Sequence, residues 1–101
     1  MKKVFISQPM RDKTNEEILE VRERAINCSK EFLKDDVEII DSFFKDAPHD
    51  AKPLWYLSKA LELLSTADVA VFAYGWDDYR GCRIEHECCR AYNIPIILLN
   101  K

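Results

Sequence analysis

Glycine is scarce in this chain, with two in 101 residues, Gly75 and Gly81. Neither a G-x-G-x-x-G stretch nor a Walker-type loop occurs, so dinucleotide and ATP cradles are set aside. Histidine is equally scarce, at His49 and His86, and no Ser/His/Asp order stands out. The four cysteines, Cys28, Cys82, Cys88 and Cys89, contain no C-x-x-C pair. A core of this size needs no disulfide framework, and reduced, partly buried thiols are expected. Cys82, His86 and Cys89 could share one helix face, but no second Cys/His cluster exists to complete a site, so no metal is expected. Excess positive charge is also missing. The net charge of −3 argues against a nucleic-acid polymer as partner. No signal-peptide pattern and no apolar run of membrane-spanning length is present, which predicts a cytoplasmic protein without a membrane partner.

What is present is an ordinary globular balance, 48% hydrophobic and 33% charged, sized for one domain over residues 1–101. No repeat, low-complexity tract or linker interrupts it. Lys3–Ser7 reads as a first strand, broken by Gln8 to Lys13 with Pro9 holding Gln8 out of the helical region. Thr14 and Glu17 fit a capping box that opens a helix to about Lys34. Its expected buried stripe is Ile18, Val21, Ala25, Cys28 and Phe32. Val37–Ile40 is a second strand. Residues 41–52 form a long surface connection, where Phe43 and Phe44 suggest partial packing and His49 reads as a plain loop histidine. Pro53 opens a helix to Thr66 whose expected buried face is Leu54, Leu57, Leu61 and Leu64. Asp68–Ala73 is a buried strand. A helix from Gly81 to about Tyr92 follows, with Ile84, Cys88 and Ala91 taken as one face, and Asn93-Ile94-Pro95 stops it. Ile96–Leu99 closes the series. This alternation predicts an α/β three-layer sandwich, flavodoxin-like or Rossmann-like, with four or five parallel strands in the order 2-1-3-4.

In that order the first and third strands are neighbours, and their exit loops face each other across the switch-point crevice. One loop brings Ser7, Gln8 and Arg11 beside a helix start, suited to an anion or a sugar hydroxyl. The other brings Trp76, Asp77, Asp78, Tyr79 and Arg80, with Glu85 just behind. At about 100° per residue, Glu85 falls on the flank of the expected buried stripe in the first turn of its helix, and His86 points to solvent. A carboxylate so placed could reach into the crevice. It could equally be a solvated glutamate favoured by the positive helix start. Trp55 and Tyr56 could stack on a base, pack, or form a dimer surface.

These residues carry a resemblance. Val4-Phe5-Ile6-Ser7-Gln8-Pro9-Met10-Arg11, the segment from Leu61 to Phe72, and Gly75-Trp76 followed by Arg80-Gly81-Cys82-Arg83-Ile84-Glu85-His86-Glu87 resemble the nucleoside 2-deoxyribosyltransferase-like proteins, and within them a short branch found in bacteria and phages. The resemblance covers nearly the whole chain. It implies a flavodoxin-like fold, a dimer or higher homo-oligomer whose active site can borrow residues from a neighbour, and no cofactor. The family spacing of Gly, catalytic Glu and Pro falls on Gly81, Glu85 and Pro95, so the resemblance assigns Glu85 as the catalytic nucleophile. It carries sugar or phosphate binding to Ser7, Gln8, Met10 and Arg11, with Gly75, Trp76, Asp77, Arg80 and Gly81 completing the expected substrate-binding set. The implied activity is cleavage or transfer at the anomeric carbon of a nucleoside or nucleotide, through a carboxylate that traps the sugar as an ester. Two departures stand out. The family's Asp two residues before the signature Gly is Tyr79 here, and its Asp early in the preceding helix falls near Ala60, with Asp77 and Asp78 as nearby substitutes. The alternative is therefore a non-catalytic module holding a nucleotide or related metabolite in the same crevice.

Overall fold

The computed structural model describes residues 1–9, 13–40 and 48–100. The elements alternate as expected: β1 (Lys2–Ser7), α1 (Asn15–Leu33), β2 (Val37–Ile39), α2 (Pro53–Leu64), β3 (Val69–Phe72), α3 (Arg80–Ala91) and β4 (Ile96–Leu98). All three strand pairings are parallel, in the order β2-β1-β3-β4. Parallel neighbours need crossovers, and here each crossover is a helix. The sheet has four strands among the described residues; a fifth is not among them.

Local chemistry sets the ends. The Thr14 hydroxyl accepts from the Glu17 backbone N–H at 3.1 Å and so caps α1, satisfying one of the helix's orphan donors. Lys34 at φ 53° closes it. Pro53 sits at the start of α2, where its missing N–H costs nothing. Asn93 at φ 59° turns the chain out of α3, and the Ile94 N–H reaches back to the Cys89 carbonyl at 2.9 Å, a C-terminal bond that frees Pro95 to start the next segment.

Side chains alternate across the strands, which gives the sheet two cores. Val4, Ile6, Val69, Val71 and Ile97 pack with Ala25 on the side covered by α1. Phe5, Ala70 and Phe72 pack with Ala60, Leu64 and Cys89 on the side covered by α2 and α3. Ser7 is two residues beyond Phe5, so it faces α2 and α3 at the carboxyl end of β1.

Several helix faces differ from the expected ones. On α1, Phe32 is exposed and Leu33 packs on the core instead. On α2, Leu54 is exposed, while Leu57 and Leu61 are half-buried and Leu64 is buried as expected, joined by Ala60. On α3 the buried residues are Cys82, Glu85 and Cys89, while Ile84 and Ala91 lie outside. A narrow helix face between two apolar layers selects by geometry, and a single large aliphatic such as Ile84 can be left at the surface. The Phe43 and Phe44 reading, with most of the 41–52 connection, lies outside the described residues.

Candidate active site

The last turn of β1 is held firmly before any side chain is considered. Ser7 pairs with Phe72 in the β1–β3 ladder, and its carbonyl accepts from the Ala73 N–H at 2.9 Å. From that anchored position the Ser7 hydroxyl donates to Glu85 Oε1 at 2.6 Å, bridging strand and helix across 78 residues of sequence. The length is that of an O–H···O⁻ bond to a charged acceptor. Both partners are buried, Ser7 at 2% and Glu85 at 8% exposure. Glu85 is the sixth residue of α3, in its second turn rather than its first, and it lies on the buried face rather than its flank. Burial raises the Glu85 pKa above the ordinary carboxylate value, and the Ser7 hydrogen bond pulls it partly back.

Glu85 lines a cavity of about 410 Å³, within the range that holds small-molecule ligands. Its polar wall is Ser7, Gln8, Cys82 and Glu85; the opposing wall comes from α2, with Tyr56, Leu57 and Ala60, and Tyr79 and Gly81 border it. The Gln8 amide donates through Nε2 to the Ile18 carbonyl at 3.0 Å, which ties the strand exit to α1. Cys82, one turn before Glu85, has a thiol raised by burial, lowered by a hydrogen bond with Ser7, and raised again by the Glu85 charge.

Of the expected binding residues, Ser7, Gln8 and Gly81 line the cavity with Glu85. Met10 and Arg11 lie outside the described residues. Gly75, Trp76, Asp77 and Arg80 are not part of the lining. Gly75 adopts φ 87°, the left-handed turn that glycine takes without strain, to start a single 3₁₀ turn over Trp76–Asp78. Trp76 stacks on His86 at 4.1 Å and 13°, and meets the edge of Phe72 at 5.6 Å. His86 is thus half-buried in an aromatic cluster and does not point to solvent. Asp77 is exposed and gives its carbonyl to Arg83 at 3.0 Å. Arg80 faces an adjoining groove together with Lys52.

The α2 wall is not in the expected binding set, although Tyr56 is one of the aromatics that could stack on a base. Pro53, Tyr56, Leu57 and Ala60 recur at helix spacing, a signal present in the sequence but outweighed by the more hydrophobic Leu54, Leu57, Leu61 and Leu64. Ala60 and Tyr79, the two positions where the resemblance expects carboxylates, both line the cavity. Among the described residues no cluster of His, Cys, Asp and Glu could hold a metal, and no helix is long and apolar enough to cross a membrane.

No family model matches the chain, and no curated protein matches it. Among solved structures, it is similar to a 2-deoxyribosyltransferase from the psychrotolerant bacterium Bacillus psychrosaccharolyticus, with a TM-score of 0.61 and 17% identity over 95% of this chain and 70% of that one. It is also similar to a conserved protein from Enterococcus faecalis V583, with a TM-score of 0.69 and 16% identity over 100% of this chain and 64% of that one. At these identities the similarity is one of fold. Four parallel strands in the order 2-1-3-4 with three described helices are the shared architecture.

Proposed function

We propose that this protein cleaves or transfers the sugar of a nucleoside or nucleotide, with Glu85 as the nucleophile. The observation that carries this reading is a buried carboxylate, oriented by one hydrogen bond from Ser7, in the wall of a cavity of ligand size. The likeness in fold to a 2-deoxyribosyltransferase supports it. A Glu85 oxygen attacks the anomeric carbon as the C–N bond breaks, its electron pair leaving on the base nitrogen, which takes a proton from water. The sugar is held as a glutamyl ester until water or a second base attacks the same carbon and returns the carboxylate. The positive charge that builds on the sugar is stabilised by the buried carboxylate.

Incubation with deoxynucleosides and their monophosphates, followed by chromatography for free base or exchanged base, tests the reading. Turnover is expected, and Glu85→Gln should lower it by about a thousandfold or more, roughly 4 kcal/mol of barrier. No turnover by the wild type, or full activity in the variant, would overturn it. A second reading, a binding module without turnover, is favoured by Ala60 and Tyr79 in the cavity wall, where neither supplies a carboxylate. Thermal stabilisation by nucleosides or nucleotides without product formation would select it.

A further inference from the structure

The chain leaves β1 through two buried polar residues, Ser7 and Gln8. Gln8 is 8% exposed, and its amide is paired on one side only. Nε2 donates to the Ile18 carbonyl at 3.0 Å, whereas Oε1 is buried with no partner among the described residues. The Ile18 bond fixes which way the amide faces. Turned over, its oxygen would lie against the Ile18 carbonyl, acceptor against acceptor. Buried polar groups are nearly always paired, and an unpaired one costs free energy that a suitable partner returns. Gln8 and Pro9 also stand between two cavities. One is the Glu85 cavity. The other, of about 80 Å³, lies between the start of α1 and the exit of β3, bordered by Glu17, Ile18, Ala73 and Tyr74. It is the crevice at the switch point of the sheet. A water takes roughly 30 Å³ in the liquid, so this space suits a small hydroxyl-bearing fragment and is too small for a base. The charged side chains on its rim, Lys13 and Glu17, are exposed and of opposite sign, which gives an anion no advantage.

We infer that Gln8 sets specificity for a free sugar hydroxyl: its buried Oε1 accepts from a hydroxyl of the bound sugar, and so rejects a phosphate at this place. The nucleophile reading supplies which part of the substrate lies there. Glu85 attacks the sugar, Ser7 holds Glu85, and Gln8 is the next residue along the chain, so the sugar is the part of the substrate nearest the Gln8 amide. A hydroxyl has a proton to donate. An ionised phosphate only accepts, and against Oε1 it would leave two acceptors facing each other. Because Oε1 is buried, the contact forms with a small displacement of the Gln8–Pro9 wall between the two cavities. The other half of the amide stays on Ile18 and ties the bound sugar to α1 as well as to β1.

The test is calorimetric binding of the common deoxynucleosides, their 2′,3′-dideoxy and 5′-deoxy analogues, and their 5′-monophosphates. It is run on the full chain carrying Glu85→Gln, which blocks turnover, with and without Gln8→Met, which keeps side-chain length and removes both polar atoms. Loss of one sugar hydroxyl should weaken binding by about tenfold or more when Gln8 is present and by less than about twofold in Gln8→Met. Gln8→Met should weaken the 5′-monophosphate no more than it weakens the parent nucleoside. If Gln8→Met fails to fold, Gln8→Glu, which keeps an acceptor, should retain the hydroxyl preference and bind the monophosphate less well. Equal losses with and without Gln8, a phosphate contact that disappears in Gln8→Met, or no binding by any of these compounds would overturn the inference. Coupling between Gln8 and a hydroxyl, in a protein whose wild type turns nothing over, keeps this inference and defeats the enzyme reading. Turnover without that coupling does the reverse, so the two failures are distinguishable.

Discussion

On the side of the sheet covered by α1, the inward residues of β1 and β3 are Val4, Ile6, Val69 and Val71, all aliphatic and all buried. On the opposite side the same two strands present Phe5, Ser7, Ala70 and Phe72. The first side is uniform from end to end. The second begins as a core and, at the carboxyl end of β1, gives way to a hydroxyl that bonds a buried acid. Burying a carboxyl costs free energy unless it is neutral or well hydrogen-bonded. One face of the sheet is thus built for cohesion, and the other gives up some cohesion at one end to hold a buried acid.

The comparison breaks first at Phe72. This ring is fully buried, and it supports both Trp76 and His86 through edge contacts at 5.6 and 5.1 Å. Phe72→Ala should cost about 3–5 kcal/mol in urea denaturation, against less for Val71→Ala on the aliphatic side, where fewer buried carbons are removed. If the two cost the same, Phe72 does not organise its face as its contacts imply. Trp76, expected in the substrate-binding set, meets the Phe72 edge and stacks on His86.

A smaller effect separates the two faces by pH. Glu85 has its pKa raised by burial, so the folded state holds the proton more tightly than the unfolded chain does. Its contribution to stability is present below the ordinary carboxylate value and is lost as pH rises through the folded value. Cys89, also on this side, is pushed up to about 11, and the same sign applies in alkali: stability falls as pH rises from the ordinary thiol value of 9.0 toward 11. The aliphatic face has no such group among its buried residues. Denaturation midpoints across pH should therefore show an acid-side fall that Glu85→Gln removes and an alkaline fall that Cys89→Ala diminishes. Persistence of the acid-side fall in Glu85→Gln would assign it to other carboxyls.

Much of the fold was legible because its signals are local. The Thr14–Glu17 cap, Pro53, and the Asn93-Ile94-Pro95 stop mark helix ends by backbone chemistry, and the short apolar runs of β3 and β4 suit a parallel sheet buried on both faces. Strand order followed from the crossover rule. The site was legible only in part. Ser7, Gln8, Gly81 and Glu85 come together as the facing loops imply, but the Ser7–Glu85 bond and the wall from α2 depend on helix rotation, which hydrophobicity marks poorly when every turn carries a leucine. Ala60 is small and marks no helix face by its hydrophobicity, yet it lines the cavity with Glu85.

The smallest expected difference sharpens this point at the end of α1. Hydrophobic spacing selects Phe32 as a buried residue, but it is 63% exposed, and Leu33 packs against the aliphatic core. Exposed aromatics contribute little to stability, and alanine is the better helix former at such a position. Phe32→Ala should therefore change stability by no more than about 0.5 kcal/mol in either direction. Leu33→Ala, although it removes fewer atoms, should cost roughly 1–2 kcal/mol, less than a fully buried leucine because Leu33 is only half-buried. The helix ends at Leu33, and Lys34 at φ 53° caps it before the chain enters β2. A thermal unfolding series on the two variants would read the order directly. The reverse order would mean that the last turn of α1 is rotated by about 100° from the arrangement described.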